Sequence, residues 1–145
     1  MEVKIKLIEN GKIPIYKRDG DACLDCFARI SGGSIAIPPY EKSKARVLVN
    51  LGFALELPAG WEAQIRPRSG NSKDGIDITL GTGDPTYRGE YMACIVNNRP
   101  EPFVVNDGDR ICQLAIREAP HIEFKVVDEL SETIRGSNGF GSSGR

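Results

Sequence analysis

"RVLVNLGFALELPAGWEAQIRPR", residues 46–68, is the stretch that indicates the fold class most directly. Its first twelve residues form a mostly apolar run that stops at Pro58-Ala59-Gly60, a combination typical of a turn. The eight residues that follow, 61–68, have the pattern of a second strand. We therefore expect a β-hairpin here, with residues 46–57 as one strand and 61–68 as its partner.

Short strand patterns recur along the rest of the chain. Val3, Ile5 and Leu7 alternate with lysines, which predicts a strand with one solvated face. The 16 glycines and 9 prolines separate such runs, and no long window has a convincing helical period. This spacing predicts an all-β sandwich or barrel. Further strands are expected at residues 34–37, 91–97, 110–116 and 121–127.

Size and composition limit the classes of protein that are possible. A chain of 145 residues with 40% hydrophobic residues is expected to form one soluble domain with a real core. No apolar run approaches the roughly 18 residues of a membrane span, so we expect no membrane segment. Met1 is followed by charged residues rather than an apolar stretch, which predicts no secretory signal and a cytoplasmic location.

The charge balance bears on the kind of ligand. The 19 basic and 20 acidic residues give a net charge of −1, which leaves no broad positive field for nucleic acid. A phosphate-bearing ligand would therefore be held by a few placed groups. A small anion fits this better than a polymer.

The cysteines raise the question of a metal or redox site. Cys23 and Cys26 form a Cys-x-x-Cys pair, but there is no second such pair and the only histidine is His121. A structural zinc site normally needs four ligands, and a redox pair of this type normally lies in a βαβ pattern. We therefore expect buried, reduced thiols, and the same holds for Cys94 and Cys112.

Two polar segments stand where a plain β-protein would have simple turns. "RPRSGNS", residues 66–72, places Arg68, Ser69 and a glycine at the end of a strand, where they could hold a phosphate. A charged surface loop is an equally good interpretation of that segment by itself. "GTGDPTYRGE", residues 81–90, is a glycine-rich hairpin that a ligand could approach closely, although an ordinary Asp-Pro turn is also possible.

Two strands carry polar residues among apolar neighbours. In "GDRICQLAI", residues 108–116, Gln113 is either a structural hydrogen-bonding residue or part of a site, because buried amides need partners. In "DACLDCFA", residues 21–28, Asp25 is expected to have a specific partner, because burying an unpaired carboxylate is costly.

Taken together and in this order, these segments resemble the motifs of the homotrimeric dUTP pyrophosphatases (dUTPases). The resemblance covers nearly the whole chain and rests on "CLDCFA", "RPRSG", "GTGDPTYRGE", "GDRICQLAI" and the C-terminal "RGSNGFGSSG". Asp25, Asp84 and Tyr87 match the family pattern. The chain differs from the usual family residues at five positions, and at one of them, Gly83, the family usually has isoleucine. We expect these differences to affect the local backbone shape more than the chemistry. The five positions are Cys23, Cys26, Gly83, Pro85 and Thr86.

The resemblance implies hydrolysis of dUTP to dUMP and pyrophosphate, by attack of water on the α-phosphorus. Asp84 matches the general base, Ser69 the group that stabilises charge on the leaving oxygen, and Gln113 the amide that positions water and phosphate. Asp25 matches the residue that holds Mg²⁺ through water.

The resemblance also implies how substrate is selected. Tyr87 would pack under the deoxyribose and exclude a 2′-hydroxyl group, while the main chain of residues 81–84 would read the polar edge of uracil. Phe140 would stack on the base, and Arg135 would pair with the γ-phosphate. The implied substrate-binding residues are Arg68, Ser69, Gly70, Gly81, Thr82, Gly83, Asp84, Tyr87, Arg135, Phe140, Gly141 and Ser142.

The implied architecture is a distorted jelly-roll-like β-barrel, residues 1–134, followed by a flexible glycine-rich lid, residues 135–145. The barrel would assemble as a homotrimer with active sites shared between subunits, and neither nucleic acid nor membrane is expected as a partner. One subunit would give the first, second and fourth motifs, another the third, and the remaining one the lid.

Two other functions fit parts of the pattern. A dCTP deaminase has the same fold, and Pro85 after Asp84 resembles that enzyme, but "YMACIV" lacks the catalytic glutamate that deaminases carry in this strand. A non-enzymatic barrel that binds single-stranded nucleic acid would need a basic groove with stacking aromatics, and aromatic residues make up only 7% of this chain.

Overall fold

The structure, a computed structural model, describes residues 1–137 of the chain. Within this range it contains eleven strands and two short helices. The strands are β1 (Lys4–Leu7), β2 (Leu24–Phe27), β3 (Ser34–Ile37), β4 (Val47–Asn50), β5 (Phe53–Glu56), β6 (Trp61–Pro67), β7 (Ile76–Thr79), β8 (Gly81–Gly83), β9 (Met92–Asn97), β10 (Phe103–Asn106) and β11 (Arg110–Glu118). The helices are α1 (Tyr40–Ser43) and α2 (Ser69–Lys73).

All strand pairs are antiparallel and form four small sheets. The largest has the order β2-β11-β6-β8, and the next has the order β4-β9-β7. The remaining pairs are β1-β5 and β10-β3. The all-β prediction is confirmed.

One hydrophobic core lies between these sheets. Its largest fully buried side chains include Phe53, Ile37 and Leu51, and strands β6 and β9 bury alternate residues, in keeping with the period of a strand. β11 lies inside the large sheet and buries residues on both of its faces, among them Ile111 and Cys112. No described helix is long and apolar enough to cross a membrane.

The predicted hairpin at residues 46–68 is wrong. The apolar run is two strands, because the chain turns a corner at Gly52, whose φ of +74° favours glycine. β4 pairs with β9, β5 pairs with β1, and β6 pairs with β11 and β8. The Pro58-Ala59-Gly60 turn thus leads from one sheet to another. The turn residues predicted a change of direction correctly, but they do not determine which strand pairs with which.

The strand predicted at residues 121–127 is also wrong. This segment has no strand in the described chain, and Ile122, Phe124 and Val126 are 62%, 91% and 94% exposed. A strand needs a neighbour for its backbone groups, and none of the described strands pairs with this segment. The strands predicted at 34–37, 91–97 and 110–116 are confirmed, within one or two residues at their ends.

Candidate active site

Asp25 lies at the centre of a polar cluster on the large sheet. Its side chain is only 4% exposed, and Oδ1 accepts hydrogen bonds from Arg68 Nε (3.1 Å) and Gln113 Nε2 (3.2 Å). Oδ2 accepts from Arg110 Nη1 (3.0 Å) and Arg68 Nη2 (3.4 Å). The predicted partner of the buried carboxylate is thus a set of three side chains.

Strand register explains why these residues meet. Gln113 on β11 is directly opposite Asp25 on β2, and Arg68 follows β6 on the other side of β11. Sequence reasoning missed Arg110, which begins β11 and donates to the same carboxylate. Its position at the start of the strand that carries Gln113 could have indicated that it belongs to the same cluster.

Burial and hydrogen bonding act against each other on the pKa of Asp25. Burial raises the pKa of this carboxyl group, whereas hydrogen bonds from Gln113, Arg68 and Arg110 and the charge of Arg68 lower it. The lowering effects win, so the pKa of Asp25 lies below its usual value. The group is a carboxylate at neutral pH.

The turn after β6 presents further polar groups beside this cluster. Ser69 and Gly70 begin α2 and are exposed. Asn71 fixes the turn to β11, because its Nδ2 donates to the carbonyl oxygen of Ile111 at 3.1 Å. Arg68 is held in the same way by its Nη1, which donates to the carbonyl oxygen of Arg110 at 3.2 Å. Together these contacts place a cation and a hydroxyl at one edge of the sheet.

The cysteines of the first and fourth motifs lie beneath this cluster. Cys26 on β2 is directly opposite Cys112 on β11, and both are fully buried thiols. The contact with Cys112, together with burial, raises the pKa of Cys26, which therefore stays protonated. The expectation of buried, reduced thiols is confirmed for this pair, whereas Cys23 and Cys94 are half-buried.

A second set of predicted residues lines a pocket at β8. This pocket has a volume of about 300 Å³, and its wall includes the segment Gly81–Asp84 together with Tyr87 and Tyr91. β8 is the edge strand of its sheet, so one row of its N–H and C=O groups faces away from β6. Asp84 lies exposed at the end of this strand.

Hydrogen bonds hold the loop after Asp84 in place. The Tyr87 hydroxyl group donates to the carbonyl oxygen of Glu90 at 3.0 Å, and the Tyr87 amide donates to the carbonyl oxygen of Asp84. The Glu90 carboxylate accepts from Arg29 through Nε (2.9 Å) and Nη2 (2.8 Å) and from the amide of Gly52 (2.8 Å). Burial raises the pKa of Glu90, but these donors outweigh it, so the pKa lies below its usual value.

The two polar regions lie far apart in one chain. Gly83 is opposite Ala63 on β6, so Asp84 is level with residue 62, whereas Arg68 follows the other end of β6. At about 3.3 Å per residue the six positions between them span about 20 Å. The cluster around Asp25 also lies on the opposite side of β6 from β8. The structure therefore does not bring Asp84 together with Ser69 and Gln113 within one chain.

The predicted lid lies mostly outside the described residues. Phe140, Gly141 and Ser142 are beyond residue 137. Arg135 is described and lies in a bend at the end of the exposed segment that follows β11.

The chain is similar to known proteins over nearly its whole length. A family model described as dUTPase matches residues 9–144. The chain is 42% identical to the deoxyuridine 5′-triphosphate nucleotidohydrolase of Crocosphaera subtropica, with 99% of each protein covered. It is 41% identical to the protein of the same name from Maricaulis maris, with 98% of this chain and 95% of that protein covered.

A solved structure shares the fold. The dUTPase of Staphylococcus bacteriophage 80alpha with dUPNHPP has a TM-score of 0.83 to this chain at 24% sequence identity, with 99% of both chains covered. The match to the family model over nearly the whole chain, together with relatives at about 40% identity, identifies the family. The chain belongs to the dUTPase family.

Proposed function

We propose that this protein hydrolyses dUTP to dUMP and pyrophosphate. The observation that carries the proposal is the pocket at the edge strand β8, where free backbone groups, Tyr87 and Asp84 lie together. The relatives named as deoxyuridine 5′-triphosphate nucleotidohydrolases support it. The strand after this pocket, β9, contains no carboxylate, so dCTP deamination is not favoured.

In the proposed reaction, water attacks the α-phosphorus and the bond to the bridging oxygen breaks, which releases pyrophosphate. Asp84 takes the proton of the attacking water as a general base, a role that its exposed position at the pocket allows. Gln113 positions the water and the phosphate. Ser69 donates to the leaving oxygen as negative charge develops there.

The phosphates are bound by the turn after β6. Arg68 supplies a bidentate cation, and the main chain at Ser69 and Gly70 supplies donors in an exposed turn. Arg68 is a suitable phosphate ligand because its guanidinium group is already oriented by Asp25 and the carbonyl oxygen of Arg110. Little conformational freedom is then lost when the substrate binds.

Mg²⁺ is proposed to arrive with the triphosphate. The donor set around Asp25 does not fit a directly bound metal ion, because Arg68, Arg110 and Gln113 already occupy four acceptor positions of its carboxylate. A water of the metal could hydrogen-bond to Asp25 in place of the longest of these contacts, the one from Arg68 Nη2 at 3.4 Å, while Arg68 Nε keeps its hydrogen bond to the same carboxylate. When bound, Mg²⁺ would neutralise charge on the phosphate oxygens.

The same pocket accounts for substrate selection. The outward N–H and C=O groups of Gly81–Gly83 can pair with the polar edge of uracil, much as a neighbouring strand would. Thr82 and Gly81 are exposed, so the base can reach them. Tyr87 packs against the sugar and leaves no room for a 2′-hydroxyl group.

A complete site needs more than one chain, and we propose a homotrimer. A general base must lie within about 3 Å of the proton that it removes. Because Asp84 lies about 20 Å along β6 from Arg68, these residues meet around one triphosphate only when they come from different subunits. The exposed apolar side chains of Ile122, Phe124 and Val126 are suited to contacts between subunits.

The chain after the barrel is proposed to act as a lid. We divide the protein into a barrel domain, residues 1–134, and a lid, residues 135–145, in which Arg135 binds the γ-phosphate. Phe140 would cover the uracil, with Gly141 and Ser142 donating to the phosphates. A cytoplasmic location is part of the same proposal.

A nucleotide panel tests the proposed reaction. Purified protein is incubated with dUTP, dCTP, dTTP or UTP, with and without Mg²⁺, and the release of pyrophosphate and ammonia is followed. We expect pyrophosphate from dUTP alone. Ammonia from dCTP would indicate a deaminase instead, and no product from any nucleotide would contradict an enzymatic role.

A further inference from the structure

Tyr91 is a buried aromatic residue in the wall of the nucleotide pocket whose role the proposed mechanism does not use. It is 5% exposed, and its backbone is fixed on both sides, since its amide donates to the carbonyl oxygen of Phe53 and its carbonyl oxygen accepts from Leu51. Its ring is stacked on that of Phe53, with 5.4 Å between ring centroids and an interplanar angle of 16°. The ring therefore has little freedom to move.

The other side of this ring faces the predicted sugar-binding residue. Tyr87 and Tyr91 meet edge to face, with ring centroids 5.5 Å apart and an interplanar angle of 81°. This is a favourable aromatic geometry. Tyr87 itself is 41% exposed, and its other fixed contacts are the hydrogen bond from its hydroxyl group to Glu90 and the close approach of its ring to Gly89. Tyr91 is thus the aromatic residue that supports this partly exposed ring.

Tyr91 also fills the space beneath the strand that reads the base. A Cβ atom added at Gly83 would lie 2.6 Å from both Cε1 and Cζ of Tyr91, and closer still to its hydroxyl oxygen. Such distances are not tolerated, and the stacked ring cannot swing away. Gly83 and Tyr91 are therefore coupled: residue 83 has no side chain because the ring of residue 91 occupies that volume.

The hydroxyl group of Tyr91 contributes nothing to this packing by hydrogen bonding. The Tyr91 hydroxyl oxygen is buried and has no hydrogen-bond partner among the described residues. Burial raises the pKa of Tyr91 to about 12, so the side chain is neutral at the pH values at which the enzyme would work. The hydroxyl group therefore adds only its volume beside Gly83, while the ring makes the aromatic contacts with Phe53 and Tyr87.

We propose that Tyr91 is a positioning residue for substrate selection, whose ring holds Tyr87 and the backbone at Gly83 in the places that favour a 2′-deoxynucleotide over a ribonucleotide. This inference rests on the proposed function only in assigning the pocket to the sugar and base. Tyr91 would affect specificity by holding Tyr87 in place, and would not itself need to contact the substrate.

The test compares binding of two non-hydrolysable analogues, α,β-imido-UTP and α,β-imido-dUTP, by calorimetry in the presence of Mg²⁺. The selectivity ratio is the dissociation constant of the UTP analogue divided by that of the dUTP analogue. Tyr91→Phe keeps the ring and should leave the ratio of the two dissociation constants within about twofold of the wild-type ratio. Tyr91→Leu removes the ring and should lower the ratio by about tenfold. Melting temperatures measured alongside report whether each variant is folded.

Two further variants separate positioning from general damage. If Tyr91 acts through Tyr87, adding Tyr91→Leu to Tyr87→Ala should change the ratio no further. Gly83→Ala should lower the ratio in the wild-type background, because the new Cβ atom displaces the ring. When Gly83→Ala is added to the Tyr91→Leu variant, it should change the ratio little further, because the aromatic atoms that clash with the new Cβ atom are gone. If Tyr91→Leu does not fold, Gly83→Ala in the wild-type background still tests the proposal, because an unchanged ratio there would show that the position of the ring does not affect selectivity.

An unchanged ratio in folded Tyr91→Leu would overturn the proposal. So would a loss of selectivity in Tyr91→Phe as large as in Tyr91→Leu, since the hydroxyl group would then be the active element. A wild-type protein that binds both analogues equally would also contradict it. A wild-type protein that prefers the deoxy analogue but does not hydrolyse dUTP would contradict the proposed function and leave the role of Tyr91 intact.

Discussion

At the scale of single residues, the two carboxylates of the proposed mechanism have opposite surroundings. Asp25 is buried and accepts hydrogen bonds from three side chains, whereas Asp84 lies exposed at the end of an edge strand. Asp25 is a fixed acceptor, because its lone pairs are occupied by the donors around it, and it thereby orients the guanidinium groups of Arg68 and Arg110. Asp84 is open to a water molecule, which is what a general base requires.

The role of Asp84 can be tested by Asp84→Asn. The amide cannot take the proton of water, so we expect turnover of dUTP to fall by about a hundredfold or more with binding retained. Single-turnover kinetics and calorimetry measure the two quantities. Asp19→Asn, a change at another exposed carboxylate, is the control and should leave turnover unchanged. Near-normal turnover of Asp84→Asn would remove this residue from the mechanism.

The lowered pKa of Asp25 predicts a pH dependence of stability. Because its pKa is lower in the folded protein than in the unfolded chain, its interactions stabilise fully above the unfolded value of about 3.9 and are lost as the pH falls through the lower folded value. The difference in free energy of unfolding between wild type and Asp25→Asn should therefore be largest near neutral pH and shrink below about pH 4. Urea unfolding from pH 7 to pH 3 measures it, and a difference independent of pH would contradict the assignment.

At the scale of elements, the loop between β8 and β9 depends on contacts with distant parts of the chain. Glu90 at its end is held by Arg29, which follows β2, and by the amide of Gly52, which lies between β4 and β5. The side chains of Arg29 and Glu90 are 12% and 19% exposed. This partly buried ion pair ties the pocket loop to the rest of the barrel.

Removing one partner of this pair should therefore be costly. Arg29→Ala leaves the Glu90 carboxylate largely buried with one remaining donor, the Gly52 amide, and we expect the free energy of unfolding to fall by about 3 kcal/mol. The KM for dUTP should rise as well, because Tyr87 bonds to the backbone of Glu90.

The matched control for Arg29→Ala is Lys4→Ala, which breaks the ion pair with Glu56. Those side chains are 72% and 47% exposed, so the change should cost less than about 1 kcal/mol. Denaturant unfolding compares the two variants. Equal effects would show that the Arg29 pair contributes no more than a surface contact.

At the scale of the whole molecule, the separation of Asp84 from Arg68 predicts that subunits share sites. Asp84→Asn protein and a chain truncated after Glu132 should each be inactive, but should complement each other when they are unfolded and refolded together. Sites that draw Asp84 from a truncated chain and the lid from a full-length chain would work. Random mixing in equal amounts makes that about a quarter of all sites.

Steady-state hydrolysis of dUTP by the co-refolded mixture measures this complementation. The control is a mixture of the two proteins after each has been refolded separately, because their subunits cannot then mix while the assemblies form. If the co-refolded mixture stays as inactive as that control, the lid serves the hairpin of its own subunit or has no part in catalysis.

The fold class and the pairing of a buried site residue could be predicted from the amino-acid pattern. Alternating apolar residues and turn residues are local properties, so the all-β class and most strands could be predicted from them. The need of a buried carboxylate for partners predicted that Asp25 would be paired, and motif order predicted Asp84 and Tyr87 at one pocket.

The contacts between distant segments could not be predicted in this way. β5 pairs with β1 rather than with β6, Arg110 reaches Asp25 across 85 positions of sequence, and Tyr91 occupies the space beside Gly83. The apolar alternation at residues 121–127 did not make a strand, because the described chain offers it no neighbour. Pairing, steric exclusion and the distance between the two halves of the site are relations between residues far apart in sequence, and local pattern carries no information about them.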